Sequence, residues 1–298
     1  MNNFRNNKWN KRPQAAKEKV HGVARVISKR GFCSRSQAEN LVREGHVSLR
    51  GKIVRDPDTP ARENDEICVD GKPVKTSEFV YFMMNKPRSY VTTASDEKGR
   101  ATVMDLFREQ YAKMFPGKPV PHISPVGRLD TASEGLLLLT NDTAWANNLT
   151  EPRKKNGDSG TEAGMTNKRV ILSEASAKSK DPVTFPHTKI YRVQVNGIPT
   201  AEELSQMEAG FNVPPRVFGE PEEFMHAVSA KLYSAGEKNC WLEITLDEGK
   251  NREIRRMLAH LGYEVLRLVR IKFCNFELGD LKQGEIKEIR PSTEQTTV

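Results

Sequence analysis

Apolar residues near the start of the chain recur at helical intervals. Val23, Val26 and Ile27 fall on one helix face, and Gly31 can take the left-handed conformation that stops a short helix. Ser34-Arg35-Ser36-Gln37 fits a capping box, in which hydroxyl and amide side chains satisfy the free backbone donors of a helix start. Ala38, Leu41 and Val42 make the inward stripe of that second helix, Arg35, Glu39 and Arg43 lie outside it, and Gly45 ends it. The period then drops to two. Val47-Ser48-Leu49 and Ile67-Cys68-Val69 read as short strands, with turns at Arg50-Gly51 and Asp70-Gly71. So few short elements make a thin core, suited to an appended binding domain.

Thr76 to Glu78 reads as a linker, and Val80 to Asn85 as a strand cut off by Lys86-Pro87, since proline cannot donate to a ladder. Leu136 to Leu139 reads as a buried strand, followed by a helix capped by Asn141 or Asp142 and carrying Trp145 and Leu149. From Pro152 to Pro186 the chain turns polar, and a structureless stretch that long is expected as a mobile insertion (about 152–186) whose basic residues are solvated. Alternation returns with Tyr191, Val193 and Val195 on one face, then Leu242, Ile244 and Leu246 on another. From Arg252 to Leu261 the period is helical again. Ile254, Met257, Leu258 and Leu261 form an apolar stripe, and Arg252, Arg255 and Arg256 gather opposite. Strands and helices mix without regular alternation, so the larger domain is expected to be α+β.

Composition sharpens this picture. The 298 residues are 37% hydrophobic and 29% charged, which leaves room for tail or insertion outside any core. No run of about 18 apolar residues is present, so no membrane-spanning helix is expected. The polar N-terminus lacks the apolar stretch of a secretory signal, and Cys33, Cys68, Cys240 and Cys274 form no C-x-x-C pair. A cytoplasmic chain with idle thiols, no disulfide framework and no metal site is therefore expected. Residues 1–75 carry 17 Lys or Arg against 9 Asp or Glu, whereas the remaining 223 residues carry 30 of each. Excess positive charge confined to one end points to a polyanionic partner, most simply nucleic acid. Residues 1–22 show no periodicity and are expected to be a basic disordered tail.

Two segments could carry chemistry. Gly127-Arg128-Leu129-Asp130-Thr131-Ala132-Ser133-Glu134-Gly135 places an acid in a glycine-flanked loop just before a buried strand, where it can be held at a cleft mouth. An Asp in a loop also serves as a cap or turn residue. Glu248-Gly249-Lys250-Asn251-Arg252-Glu253-Ile254-Arg255-Arg256 sets three arginines on one face, calling for phosphates or a buried carboxylate opposite. A solvated basic face would read the same way.

Residues Arg25 to Lys75, with Gly31-Phe32-Cys33-Ser34-Arg35-Ser36-Gln37-Ala38 and Gly45-His46-Val47-Ser48-Leu49-Arg50-Gly51-Lys52, resemble the alpha-L RNA-binding domain of ribosomal and ribosome-associated proteins. That resemblance implies that Arg25, Lys29, Arg35 and Arg43, with Arg50 and Lys52, face structured RNA. Gly127-Arg128-Leu129-Asp130, Ser133, Gly135 and Leu136 to Asp142 resemble the signature of RNA pseudouridine synthases of the RsuA/RluF type. Asn85-Lys86-Pro87, Thr92-Thr93, the strand of Tyr191, the run Asn251 to Met257, Gly262-Tyr263-Glu264-Val265 and Leu268-Val269-Arg270 follow in the order of that family. The resemblance covers roughly residues 23–150 and 189–290, and Met207-Glu208-Ala209-Gly210 makes it most similar to RluF-like members acting on large-subunit RNA. Two positions depart from it: Arg50 stands where Asn is usual, and Ser89 where glycine commonly follows Asn-Lys-Pro.

The resemblance implies an alpha-L domain over 23–75 and a catalytic domain over 76–298, built on a mixed, mostly antiparallel sheet with helices. It implies Asp130 as nucleophile, Tyr191 packing on the target base, Arg255 pairing with the aspartate and Leu268 packing beneath the site. Gly127, Arg128 and Leu129 would frame the acid, and Lys86, Lys250, Asn251, Arg252 and Arg256 would touch RNA. Uridine isomerisation breaks the N1–C1′ bond, turns the trapped uracil and joins C5 to C1′, so neither cofactor nor metal is expected. A carboxylate can serve as the covalent nucleophile, already ionised at neutral pH because an ordinary Asp titrates near ~3.9. The target must leave its stack at a cost of a few kcal/mol, and an aromatic such as Tyr191 can offset about 1–3 kcal/mol. The expected partner of this monomer is structured ribosomal RNA, with tRNA as an alternative substrate and a non-catalytic RNA-binding or ribosome-assembly factor as an alternative class.

Overall fold

The computed structural model describes residues 20–93, 96, 98–150, 187–217 and 219–291. Residues 1–19 of the expected tail, and the whole of the expected insertion, lie outside the described residues. The chain divides between Glu78 and Phe79 into two units. Among the described residues no helix is long and apolar enough to cross a membrane.

In the N-terminal unit β1 (Val20–Gly22), α1 (Val23–Lys29), α2 (Arg35–Glu44), β2 (Val47–Leu49), β3 (Lys52–Ile53), β4 (Pro60–Arg62), β5 (Ile67–Val69) and β6 (Lys72–Pro73) follow one another. The capping box at the start of α2 forms in both directions, Gln37 N donating to Ser34 Oγ and Ser34 N to the Gln37 side chain. Gly45 then closes the helix in the left-handed conformation. Val23, Val26, Ile27, Ala38 and Val42 pack on Val47, Leu49 and Ile67 to form the small core. The expected tail ends three residues early. Val20–Gly22 pair with β4, because antiparallel bonding to Pro60–Arg62 gives their backbone groups partners that water would otherwise supply.

The second unit runs β7 (Tyr81–Lys86), α3 (Val103–Met114), β8 (Ser124–Val126), β9 (Glu134–Thr140), α4 (Thr143–Thr150), β10 (Lys189–Asn196), α5 (Ala201–Ala209), β11 (Phe211–Val213), β12 (Glu223–Met225), β13 (Ser229–Ala235), β14 (Asn239–Leu246), α6 (Glu253–His260), β15 (Val265–Phe273), β16 (Phe276–Glu277) and β17 (Ile286–Glu288). The main sheet has the order β13-β14-β10-β15-β9-β7-β17, with β16 on β15 and β8 on β9. Its pairings are antiparallel except β15 with β9, so the α+β fold with a mixed, mostly antiparallel sheet is as expected.

Why the leucine run is continuous is clear from its two faces. Leu137 and Leu139 enter the larger core with Phe82, Met84 and Phe107, while Leu136 and Leu138 enter a second cluster with Met83, Trp145 and Leu149. A central strand covered on both sides has no polar face, and each fully buried leucine contributes about 1.5–3 kcal/mol. Asp142 caps α4, its Oδ1 accepting from Ala144 N and Trp145 N at 3.0 Å each. The sequence pattern did not single out α3 and α5; each opens with its own capping box, Thr102 with Asp105 and Thr200 with Glu203.

Candidate active site

The loop before β9 is held along its backbone. Thr92 Oγ1 donates to Leu129 O at 2.6 Å, and Ser89 N donates to Thr131 O at 2.8 Å. Ser133 N closes back on Asp130 O at 2.9 Å. Lys86 Nζ, wholly buried, donates to the carbonyls of Pro87, Asp130 and Ser133 at 3.0, 3.1 and 2.8 Å. Among the described residues the half-buried side chain of Asp130 itself has no hydrogen bond or ion pair. Leu129 turns into the core, while Gly127 and Arg128 remain exposed on the approach.

Lys86 therefore corrects the sequence reading. It cannot touch RNA, because its ammonium is spent inside the protein on three carbonyls. Burial pulls its pKa down from 10.5 to about 8, against the opposing pull of Asp130 and Glu134. Ser89 N reaches Thr131 from a residue at φ 72, and Arg50 sits at φ 50. Both departures from the family pattern thus fall where the backbone is left-handed, the conformation that favours glycine and asparagine.

The sheet register lines up a row across four strands. Tyr191 in β10 lies opposite Arg270 in β15, Arg270 opposite Gly135 in β9, and Gly135 opposite Lys86 in β7. Gly135 is required there: at φ 101, an added Cβ would stand 2.3 Å from Arg270 O. Tyr191 is 8% exposed, and burial raises its phenol pKa while the nearby Arg270 guanidinium acts the other way. Leu268, two residues before Arg270, is buried on the same face.

Arg255 reaches this place from α6. Its Nη2 donates to Ala132 O and its Nη1 to Val265 O, each at 3.1 Å, while Nε is buried without a partner. Burial, then Arg252, lowers its pKa, and Asp130 opposes that shift. The two side chains thus share one electrostatic neighbourhood, but the expected direct pairing takes another form. Among the described residues Arg255 makes no ion pair; it grips the loop two residues beyond the acid.

The three-arginine face does not form. Arg252 precedes α6 in the left-handed conformation and is exposed, so it leaves the helix face it would otherwise share with Arg255 and Arg256. Arg256 pairs with Glu223, whose side chain is 41% exposed rather than the buried carboxylate expected, and donates to Pro214 O. Lys250 donates to Phe224 O and Glu248, and Asn251 accepts from Arg216. Glu253 is 3% exposed, and burial followed by the Glu248 carboxylate raises its pKa from 4.5 to about 8.

In the N-terminal unit Arg25 and Lys52 are exposed, with no carboxylate partner among the described residues. Lys29 pairs with Glu63, Arg35 and Arg43 with Glu39, and Arg50 with Asp65. Sequence reasoning passed over Arg270 as a site residue; the available signal was an arginine on the inward face of an alternating strand. Among the described residues no group of three His, Cys, Asp or Glu could hold a metal ion.

A half-buried carboxylate on a clamped loop, within electrostatic reach of a buried tyrosine and a half-buried arginine, is the arrangement of a catalytic site. Residues 80–157 match the RNA pseudouridylate synthase family and residues 23–67 match the S4 domain. The chain is 33% identical over 272 residues to ribosomal large subunit pseudouridine synthase B of Bacillus subtilis (strain 168), covering 90% of this chain and 92% of that protein. It is 31% identical over 269 residues to an uncharacterized RNA pseudouridine synthase of Aquifex aeolicus (strain VF5), covering 90% and 89%. A solved pseudouridylate synthase shares the fold at a TM-score of 0.52 with 24% identity, over 91% of this chain and 96% of that one. The chain belongs to the RNA pseudouridine synthase family.

Proposed function

We propose that this enzyme isomerises a specific uridine of large-subunit ribosomal RNA, with Asp130 as the nucleophile. The substrate class follows the Bacillus subtilis relative. One observation carries the chemistry: the backbone at residues 129, 130, 131 and 133 is anchored, while among the described residues the half-buried Asp130 carboxylate has no hydrogen bond or ion pair. Preorganisation of this kind places a nucleophile without further ordering cost.

The Asp130 carboxylate attacks C1′ and displaces N1, and the electron pair of the broken bond leaves with uracil. The uracil turns, C5 attacks C1′, and the carboxylate departs. C5 then loses its proton and N1 gains one, so the product is an isomer with nothing added. A departing base that carries negative charge is favoured by Arg255, half-buried beside the loop. Tyr191 packs against the base, Leu268 supports it from below, and phosphates are met by exposed Arg252 in this unit and, in the N-terminal unit, by Arg25, Arg35, Arg43, Arg50 and Lys52.

The test is tritium release from ribosomal RNA transcript labelled at uridine C5. The wild-type protein releases tritium. Asp130→Asn releases none while binding the transcript with unchanged affinity. A wild-type protein that binds and releases nothing makes this a binding factor, and an active Asp130→Asn removes the nucleophile from its role.

A further inference from the structure

Arg270 is costly to keep where it is. It lies in the middle of β15 at 2% exposure, with no carboxylate partner among the described residues and with Lys86 and Lys189 close enough to repel it. Its Nε donates to Leu136 O at 2.8 Å, its guanidinium lies 4.8 Å from the centre of the Phe273 ring, and its Nη2 is buried without a partner. A buried, unpaired charge among like charges destabilises a fold, and an apolar side chain of similar volume would pack at lower cost. Stability does not account for this arginine.

Its position does. Tyr191 is its direct cross-strand neighbour, the guanidinium acts electrostatically on the Tyr191 hydroxyl, and Nη2 is the uncommitted donor beside it. Guanidinium has N–H donors and no acceptor, so a phenol oxygen that meets it accepts, and its own proton faces elsewhere. Asp130 and Glu253 both act electrostatically on the same hydroxyl. We propose that Arg270 is the positioning residue of Tyr191: it grips the hydroxyl from the sheet side, fixes the ring plane and turns the O–H toward the Asp130 side of the cleft. The role rests on Tyr191 meeting the base, as proposed above. The row explains why the grip is rigid, because the Arg270 backbone is pressed on Gly135 and its Nε is fixed on the residue after it.

A double-mutant cycle tests this. Wild type, Arg270→Met, Tyr191→Phe and the double variant are compared in C5 tritium release, with KM, RNA affinity and melting temperature measured in parallel. Arg270→Met is expected to lower kcat at least tenfold with KM within twofold and a melting temperature at or above wild type. On the Tyr191→Phe background, where no hydroxyl is left to hold, the same change should cost less than twofold. Arg270→Lys, which keeps one donor and the charge, should fall between wild type and Arg270→Met, and it serves in the cycle if the methionine variant does not fold. Losses that multiply in the double variant, a wild-type kcat in Arg270→Met, or a wild-type kcat in Tyr191→Phe would each overturn the assignment. Failure of the catalytic reading shows separately, as an active Asp130→Asn.

Discussion

Replacing Lys86 by methionine separates two incompatible readings of one residue. As an RNA contact, Lys86 would carry a phosphate, and its loss would reduce the salt dependence of binding by a slope of roughly 1. As a buried clamp it contributes otherwise. A pKa lowered to about 8 says that desolvation outweighs the attraction of the surrounding carbonyls and acids for the ammonium, so removing the charge by itself costs nothing. The cost comes from the carbonyls of Pro87, Asp130 and Ser133. Water can replace the donor at the first two, whose residues are half-buried. At Ser133, 2% exposed, it cannot, and an unsatisfied buried acceptor costs about 1–3 kcal/mol. A loss near 2 kcal/mol lowers the melting temperature of a domain this size by about 4–8 °C. The loop loses its central tether, and a displacement of about 1 Å at a nucleophile costs roughly 100-fold in rate. Lys86→Met should therefore show a kcat down about 100-fold by tritium release, a modestly lower melting temperature, and unchanged RNA affinity and salt slope. A wild-type kcat, or a salt slope reduced by one, refutes the clamp.

Gly135→Ala puts a Cβ 2.3 Å from Arg270 O at φ 101, so steric strain should separate β9 from β15. A loss of about 2–6 kcal/mol is expected from strain and overpacking together, read as a lower urea midpoint, and a wild-type midpoint contradicts the register described. Glu253 titrates near 8 when folded instead of 4.5, so between those values the folded chain keeps a proton that the unfolded chain has released. Its contribution to stability is present below pH 4.5 and lost as pH rises through 8. Glu253→Gln cannot ionise, so its stability relative to wild type should grow steadily from about pH 5 to 8; a difference that stays flat over that range places the carboxyl in water.

Local signals in the sequence proved sufficient for local structure. The hydroxyl at Ser34 and the amide at Gln37 make the cap their spacing implies, Asp142 caps α4, and Tyr191, Val193 and Val195 share a buried face. Charge was misread where only depth decides its meaning. Lys86 ends an apolar strand and looks like a surface cation, yet its inward position turns it into a donor for the loop. Arg252, Arg255 and Arg256 would share a face only if the helix began one residue earlier; the left-handed backbone at Arg252 starts it at Glu253 and spreads the three apart. Arg270 was hidden for the opposite reason, because an arginine in a strand reads as a solvent-facing residue until the partners on both sides are known.

No periodicity encodes strand direction, and the site depends on it. Segments that precede two adjacent parallel strands arrive at the same end of the sheet, whereas antiparallel neighbours send them to opposite ends. β9 and β15 are the parallel pair, with Val269 level with Glu134 and Arg270 level with Gly135. Where these strands begin, Arg255 bridges the two approaches by donating to Val265 O and Ala132 O. Had β15 run the other way, the end of α6 would reach the sheet at the far end of a nine-residue strand, about 30 Å from the acid at roughly 3.3 Å per residue. The guanidinium could then neither hold the loop nor act on the Asp130 charge. One parallel pairing in an otherwise antiparallel sheet is thus what turns two distant sequence segments into a single site.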